Sequence, residues 1–175
     1  MARRYKTWNG AQVTTAAIPS VTTGTTIKIM LQLSTAANER IRLISWGFST
    51  DDPPGADAVF ELIDVDVAAT TGTAHVAAGV FPVDGQEATA SKLTLGTANT
   101  GYTMTVNGTP TTSRSLDVVG QSSVSAEAAP TMIYYAQFMP DERPIVAASR
   151  FLQVRATTPT TAVDMRTWIC WEEGF

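Results

Sequence analysis

Thr26-Ile27-Lys28-Ile29-Met30-Leu31-Gln32-Leu33-Ser34 repeats with a period of two. Ile27, Ile29, Leu31 and Leu33 fall on one side, with Lys28, Met30, Gln32 and Ser34 between them, the pattern of a half-buried β-strand. Further along, Glu39 to Ser49 alternates Arg40 and Arg42 with Ile41 and Leu43, and then adds Trp46 and Phe48. Asp51-Asp52-Pro53-Pro54-Gly55 stops that strand, because each proline removes a ladder donor and glycine supplies positive φ. Residues 58–67 are apolar on both sides, Phe60 and Leu62 opposing Val59 and Ile63, which predicts a central strand covered on both faces.

Before this block, residues 1–25 carry a basic start and a Thr/Ala/Val stretch around Pro19 and Gly24 with no clean period. They read as an extended N-terminal arm that stays frayed or is ordered by a partner. After it, frequent Gly and Pro from Gly72 to Pro110 predict hairpins and long loops. Short strands are expected at 92–95, 102–106 and 115–119, a helical turn near 86–92, and a Ser/Ala-rich loop at 120–130. Regularity returns with a strand at 132–139 that ends at Pro140-Asp141-Glu142-Arg143-Pro144. Residues 145–157 follow as one strand, or two with a kink near Ser149, and 163–172 places Met165, Ile169 and Trp171 on one phase.

Eight to ten strands with no 3.6-residue period predict an all-β chain, an antiparallel β-sandwich of jelly-roll-like form. Its divisions are the arm at 1–25 and a single domain at 26–175. The most secure element is expected to be a closing hairpin of 145–157 against 163–172, with Trp46, Leu152, Ile169 and Trp171 in the core.

Composition narrows the function. Of 175 residues only 16% are charged, and the net charge is −4. An acidic body does not attract nucleic acid. Thr supplies about 15% of the chain, a residue suited to a pleated, half-buried surface. Low charge with abundant Thr, Val and Gly suits a structural protein better than a charge-rich enzyme. No stretch of 18 apolar residues is present to span a membrane. Met1 to Gly10 has a basic start, but Thr7, Asn9, Gln12, Thr14 and Thr15 stand where a signal peptide needs apolar residues, so no export signal is expected.

The residues that carry chemistry are few. Cys170 is the one cysteine, so neither an intramolecular disulfide nor a zinc site of several thiolates can form. His75 is the one histidine and has no G-x-S-x-G elbow or phosphate-binding loop beside it. Asp64 and Asp66 share a strand face, where a solvated edge is the plain reading and calcium binding or acid/base catalysis the sharper ones. No catalytic residues, no metal and no cofactor are assigned. Trp8, Trp46, Trp168 and Trp171 suggest core or interface packing, or a platform for stacking sugars, although Trp168 and Trp171 fall on opposite strand faces. Arg3, Arg4, Lys6 and Trp8 of the arm are the candidate partner-binding residues, the cations seeking an acidic surface and the indole a pocket.

Several segments together resemble a known group. They are Thr23-Gly24-Thr25 leading into Thr26-Ile27-Lys28-Ile29-Met30-Leu31-Gln32, Arg40-Ile41-Arg42-Leu43-Ile44-Ser45-Trp46-Gly47, and Pro54-Gly55-Ala56-Asp57. Thr73-Ala74-His75-Val76-Ala77-Ala78-Gly79, Gln137-Phe138-Met139-Pro140, Phe151-Leu152-Gln153-Val154-Arg155 and Trp168-Ile169-Cys170-Trp171-Glu172-Glu173 continue the likeness. The chain resembles small β-rich minor capsid and capsid decoration proteins of tailed phages that infect actinobacteria. The resemblance implies a virion protein, made in the host cytoplasm, that binds the major capsid protein on the capsid surface as a homo-oligomer, a trimer being favoured. The alternative is a carbohydrate-binding or host-recognition module of a tail fibre or baseplate.

Overall fold

A computed structural model describes residues 2–13, 15–70, 72–85, 90–97, 99–122 and 131–175. In chain order the strands are β1 (Arg3–Trp8), β2 (Val21–Thr22), β3 (Lys28–Ser34), β4 (Ile41–Thr50), β5 (Ala58–Val65) and β6 (Thr73–Ala74). They continue with β7 (Phe81–Pro82), β8 (Gly101–Tyr102), β9 (Ser113–Gln121), β10 (Ile133–Gln137), β11 (Ile145–Val146), β12 (Phe151–Thr157) and β13 (Asp164–Glu173). One 3-10 turn at Ala77–Gly79 is the only helical element among the described residues.

The chain is all-β, and its two antiparallel sheets pack as a sandwich. The seven-stranded sheet runs β10-β4-β13-β1-β7, with β11 on β4 and β2 on β13; the six-stranded sheet runs β6-β8-β3-β12-β5-β9. Among the described residues eight strands are longer than two residues, and they pair from the outside inward. The first pairs with the last (β1 with β13), the second with the seventh (β3 with β12), the third with the sixth (β4 with β10) and the fourth with the fifth (β5 with β9). One long hairpin has been rolled up so that alternate segments fall in opposite sheets.

Between the sheets lies one large core. Trp46, Leu152, Ile169 and Trp171 are fully buried there, as expected from their strand phases, beside Phe48, Phe60, Leu31 and Leu62. Phe48 stacks on Phe60 across the sandwich at 4.3 Å, and Tyr5 stacks on Trp171 at 5.9 Å. β5 has a neighbour on each side, but it is covered on both faces only from Leu62 to Val65: Val59 is exposed and Glu61 half-buried.

The stretch at 26–34 departs from simple alternation. Against β12, the pairing steps from Val154↔Leu31 to Arg155↔Ile29, so β3 carries one extra residue, Met30. Such a bulge reverses the phase. Met30 therefore joins the main core, whereas Ile29 packs in a separate cluster with Ala69 and Met104, and Ile27 is exposed. Gln32 is buried because segments following β5 cover this side of the sheet. Its amide bonds both Ala69 backbone groups and the Asn99 carbonyl, and Gln153 Nε2 donates to Gln32 Oε1 at 2.7 Å.

Three expectations are corrected. Residues 3–8 are not an arm ahead of the sandwich: β1 lies inside a sheet, paired along its full length with β13 and at Tyr5 and Lys6 with β7. Tyr5 and Thr7 are buried, and that burial supplies the ordering energy expected from a partner. The closing hairpin is absent, because β12 and β13 belong to opposite sheets and Thr158–Val163 crosses between them. Finally, 92–95 forms no strand, and the only pairing at 102–106 is β8 and a bridge at Val106; the strand expected at 115–119 is present, inside the nine-residue β9. The kink near Ser149 is present, with that residue at φ 57° between β11 and β12. The helical turn near 86–92 and the loop at 120–130 fall largely outside the described residues.

Candidate binding face

Strand alternation turns Arg4, Lys6 and Trp8 of β1 away from the core, opposite to buried Tyr5 and Thr7. Register then assembles a row across this outer face. Trp8 pairs with Trp168, Trp168 with Gly47, and Gly47 with Tyr135, so four neighbouring strands each contribute one position. Gly47 is the flat point of the row. A Cβ there would lie 2.4 Å from Trp168 Cζ2 and 2.4 Å from the Tyr134 carbonyl oxygen, so the indole of Trp168 lies down over the glycine. Lys6 Nζ stands 4.7 Å from the centre of the Trp8 ring and 5.4 Å from that of Trp168, and Phe81 meets Trp8 edge-on at 5.8 Å. Such cation–π contacts keep a charge over a half-buried aromatic surface.

The charges around this row are unevenly matched. Arg42 and Arg143 pair with Glu172, and Arg166 pairs with Asp51. Neither Arg4 nor Lys6 has an ion-pair partner among the described residues. Asp84 is nearby, but its carboxylate accepts from the Arg4 backbone amide at 2.9 Å. Cys170 lies opposite Lys6 in the pairing, and burial pushes its thiol up, so it is inert here.

A second exposed feature occupies one flank. β10 is the edge of the seven-stranded sheet and β9 the edge of the other, and no strand among the described residues pairs with the outer side of either. Asp117 of β9 joins the two edges, accepting from Trp46 Nε1 at 2.9 Å and Tyr134 OH at 2.7 Å. Burial, and then this bond to a carboxylate, hold the Tyr134 hydroxyl up at about 12. Large apolar side chains stand open on this flank: Ile133 is 76% exposed, Met139 64%, Tyr135 57% and Val118 55%.

The other chemically suggestive residues serve the framework. Asp64 is buried, with Arg150 Nε donating to it at 2.8 Å and Arg114 at 3.0 Å. Asp66 accepts from the backbone amides of Thr111 and Thr112 and from the Thr111 hydroxyl, and these bonds, the hydroxyl first, hold its carboxyl down at about 2. The two carboxylates thus spend their acceptors on different partners and do not converge. No group of three His, Cys, Asp or Glu among the described residues could hold a metal ion. His75 is buried, its Nε2 lying 2.8 Å from the Trp8 carbonyl, so that nitrogen carries the proton. Thr7 Oγ1 donates to Gly79 O at 2.6 Å beside it.

The structure thus brings Arg4, Lys6 and Trp8 together with Trp168, and sets Arg3 at the strand end, where it pairs with Glu173 in register. Trp168 reads in the sequence only as one of four tryptophans for packing or sugar stacking, and Gly47, Ile133 and Tyr135 were not predicted as site residues. A glycine between Trp46 and Phe48 was the available signal. Comparison with protein-family models, with curated proteins and with solved structures finds no match.

Proposed function

We propose that this chain is a virion structural protein, a minor capsid or decoration protein that binds the major capsid protein on the outside of a phage shell and stabilises it. The apolar flank carries this reading. Scattered exposed hydrophobes are ordinary, but Ile133 and Tyr135 stand open on the edge strand β10, Val118 on the edge strand β9 and Met139 just beyond β10, beside edges that no described strand covers and that assembly would bury. The outside-inward strand pairing supports it, since it is compatible with a jelly roll, an architecture common in capsid proteins. With Arg3, Arg4, Lys6 and Trp8 held in a strand, the assembly contact passes from the expected arm to the flank. A homo-oligomer, with the trimer favoured, follows from the same surface. Light scattering at micromolar concentration tests it: a mass near a multiple of 18.6 kDa supports the assembly, and a monomer at every concentration opposes it.

A second reading, a carbohydrate-binding or host-recognition module, is favoured by one observation, the indole of Trp168 lying flat over Gly47 beside Trp8. Flat sugar faces pack on such rings. A glycan array with the purified protein separates the two readings.

A further inference from the structure

We infer that the outer face around Trp8, Trp168 and Lys6 is a binding site for an acidic polysaccharide, one whose sugar rings carry carboxylates. This rests on the carbohydrate-binding reading above and names its ligand class. Trp8, Trp168 and Lys6 are not residues of the flank that the capsid reading uses; only Tyr135, at the far end of the row, belongs to both surfaces.

Three features of the face select this ligand. Trp8 and Trp168 are cross-strand partners and both half-buried, so they offer adjacent apolar area that a rigid pyranose can cover at little entropic cost. Lys6 stands over both rings, and Arg4 projects on the same side of the strand. A neutral sugar packed here would desolvate the Lys6 ammonium without giving it a counter-charge, which is unfavourable. A uronate places its carboxylate against that ammonium while its ring stacks on the indole, so one sugar residue satisfies both groups.

Charge supplies the complementarity. The molecule is net −4, yet Arg4 and Lys6 are cations without an ion-pair partner among the described residues. Single-stranded nucleic acid also stacks on aromatic rings, but it needs a continuous cationic track. Here Asp84 accepts from the Arg4 backbone amide and Glu172 lies opposite Arg4 in the register, so carboxylates beside Arg4 break such a track. The face fits a short charged sugar segment instead.

Intrinsic fluorescence reads the site directly. Trp46 and Trp171 are fully buried, so a ligand on the surface perturbs Trp8 and Trp168 alone. The probes are polygalacturonate oligosaccharides, neutral cello-oligosaccharides and poly-L-glutamate, titrated into the full chain and into Lys6→Gln, Arg4→Gln and Trp8→Phe variants of verified β-sheet circular dichroism. The expected result is saturable quenching by polygalacturonate, weakened roughly tenfold by Lys6→Gln and by added salt, with the neutral sugar binding at least as weakly. Equal affinity for neutral and acidic sugars would overturn the acidic assignment and leave the carbohydrate reading standing. No response to any sugar would remove both. Poly-L-glutamate binding as tightly as polygalacturonate would make the face a docking site for an acidic protein and overturn the inference, as would affinity unchanged in Lys6→Gln.

Discussion

Trp171 shows what one side chain does in this core. It is fully buried, stacks on Tyr5 and donates from Nε1 to Glu173 Oε1 at 2.8 Å. Trp171→Ala removes the packing of β1 on β13 and leaves a cavity, so it should cost about 3–5 kcal/mol, read as a lowered urea midpoint with an unchanged slope. His75 gives stability a pH dependence of definite sign. Burial holds its pKa below the ordinary 6.5, against the raising effect of the Trp8 carbonyl bond. Below 6.5 the unfolded chain therefore binds more protons than the folded one, so the stability present above 6.5 declines as pH falls toward the folded pKa. Tyr102, whose ring lies 4.9 Å away, stays neutral throughout this range because burial raises its pKa. His75→Gln should flatten the decline in urea midpoints measured across about pH 8 to 5; an identical pH profile in that variant would remove His75 from the account.

At the scale of elements, the sequence showed where strands lie more clearly than where they go. The phase of Met165, Ile169 and Trp171 was legible because one face of β13 meets the core without interruption. The Met30 bulge was not, since nothing local marks the step; it arises where Arg155 turns outward to chelate Glu61 through Nε at 2.7 Å and Nη2 at 2.8 Å. β1 was missed for a related reason. Arg3, Arg4 and Lys6 gave a six-residue strand the look of a solvated tail, and only its partners reveal that Tyr5 and Thr7 alternate inward. Deleting residues 2–9 should therefore unfold the protein rather than trim it, exposing Trp171 and the edge of β13 from Trp168 to Glu173. Circular dichroism and a melting curve check this; a truncated chain that keeps its sheet signal and melting temperature would return β1 to the status of an arm.

For the whole molecule, local pattern could identify a sandwich because alternation and turn signals are properties of short segments. The pairing of first strand with last is not local, and the expectation of a closing hairpin failed there: the short loop Thr158–Val163 looks like a hairpin turn but carries the chain from one sheet to the other. The candidate site was legible only in part for the same reason. Lys6 and Trp8 were visible as residue types, whereas Trp168 joins them from 160 positions further along the chain. The flank formed by β9 and β10 likewise exists only once both sheets are built, and it carries the proposal that this is a shell-binding protein. On that proposal, the most direct measurement is cosedimentation of the purified protein with assembled tailed-phage shells, comparing the wild type with an Ile133→Asp, Met139→Asp double variant of verified fold. Both side chains are open to solvent, so the variant keeps its core. Wild type should pellet with the shells and the double variant stay in the supernatant; wild type remaining in the supernatant, or both proteins pelleting equally, would overturn the shell-binding proposal.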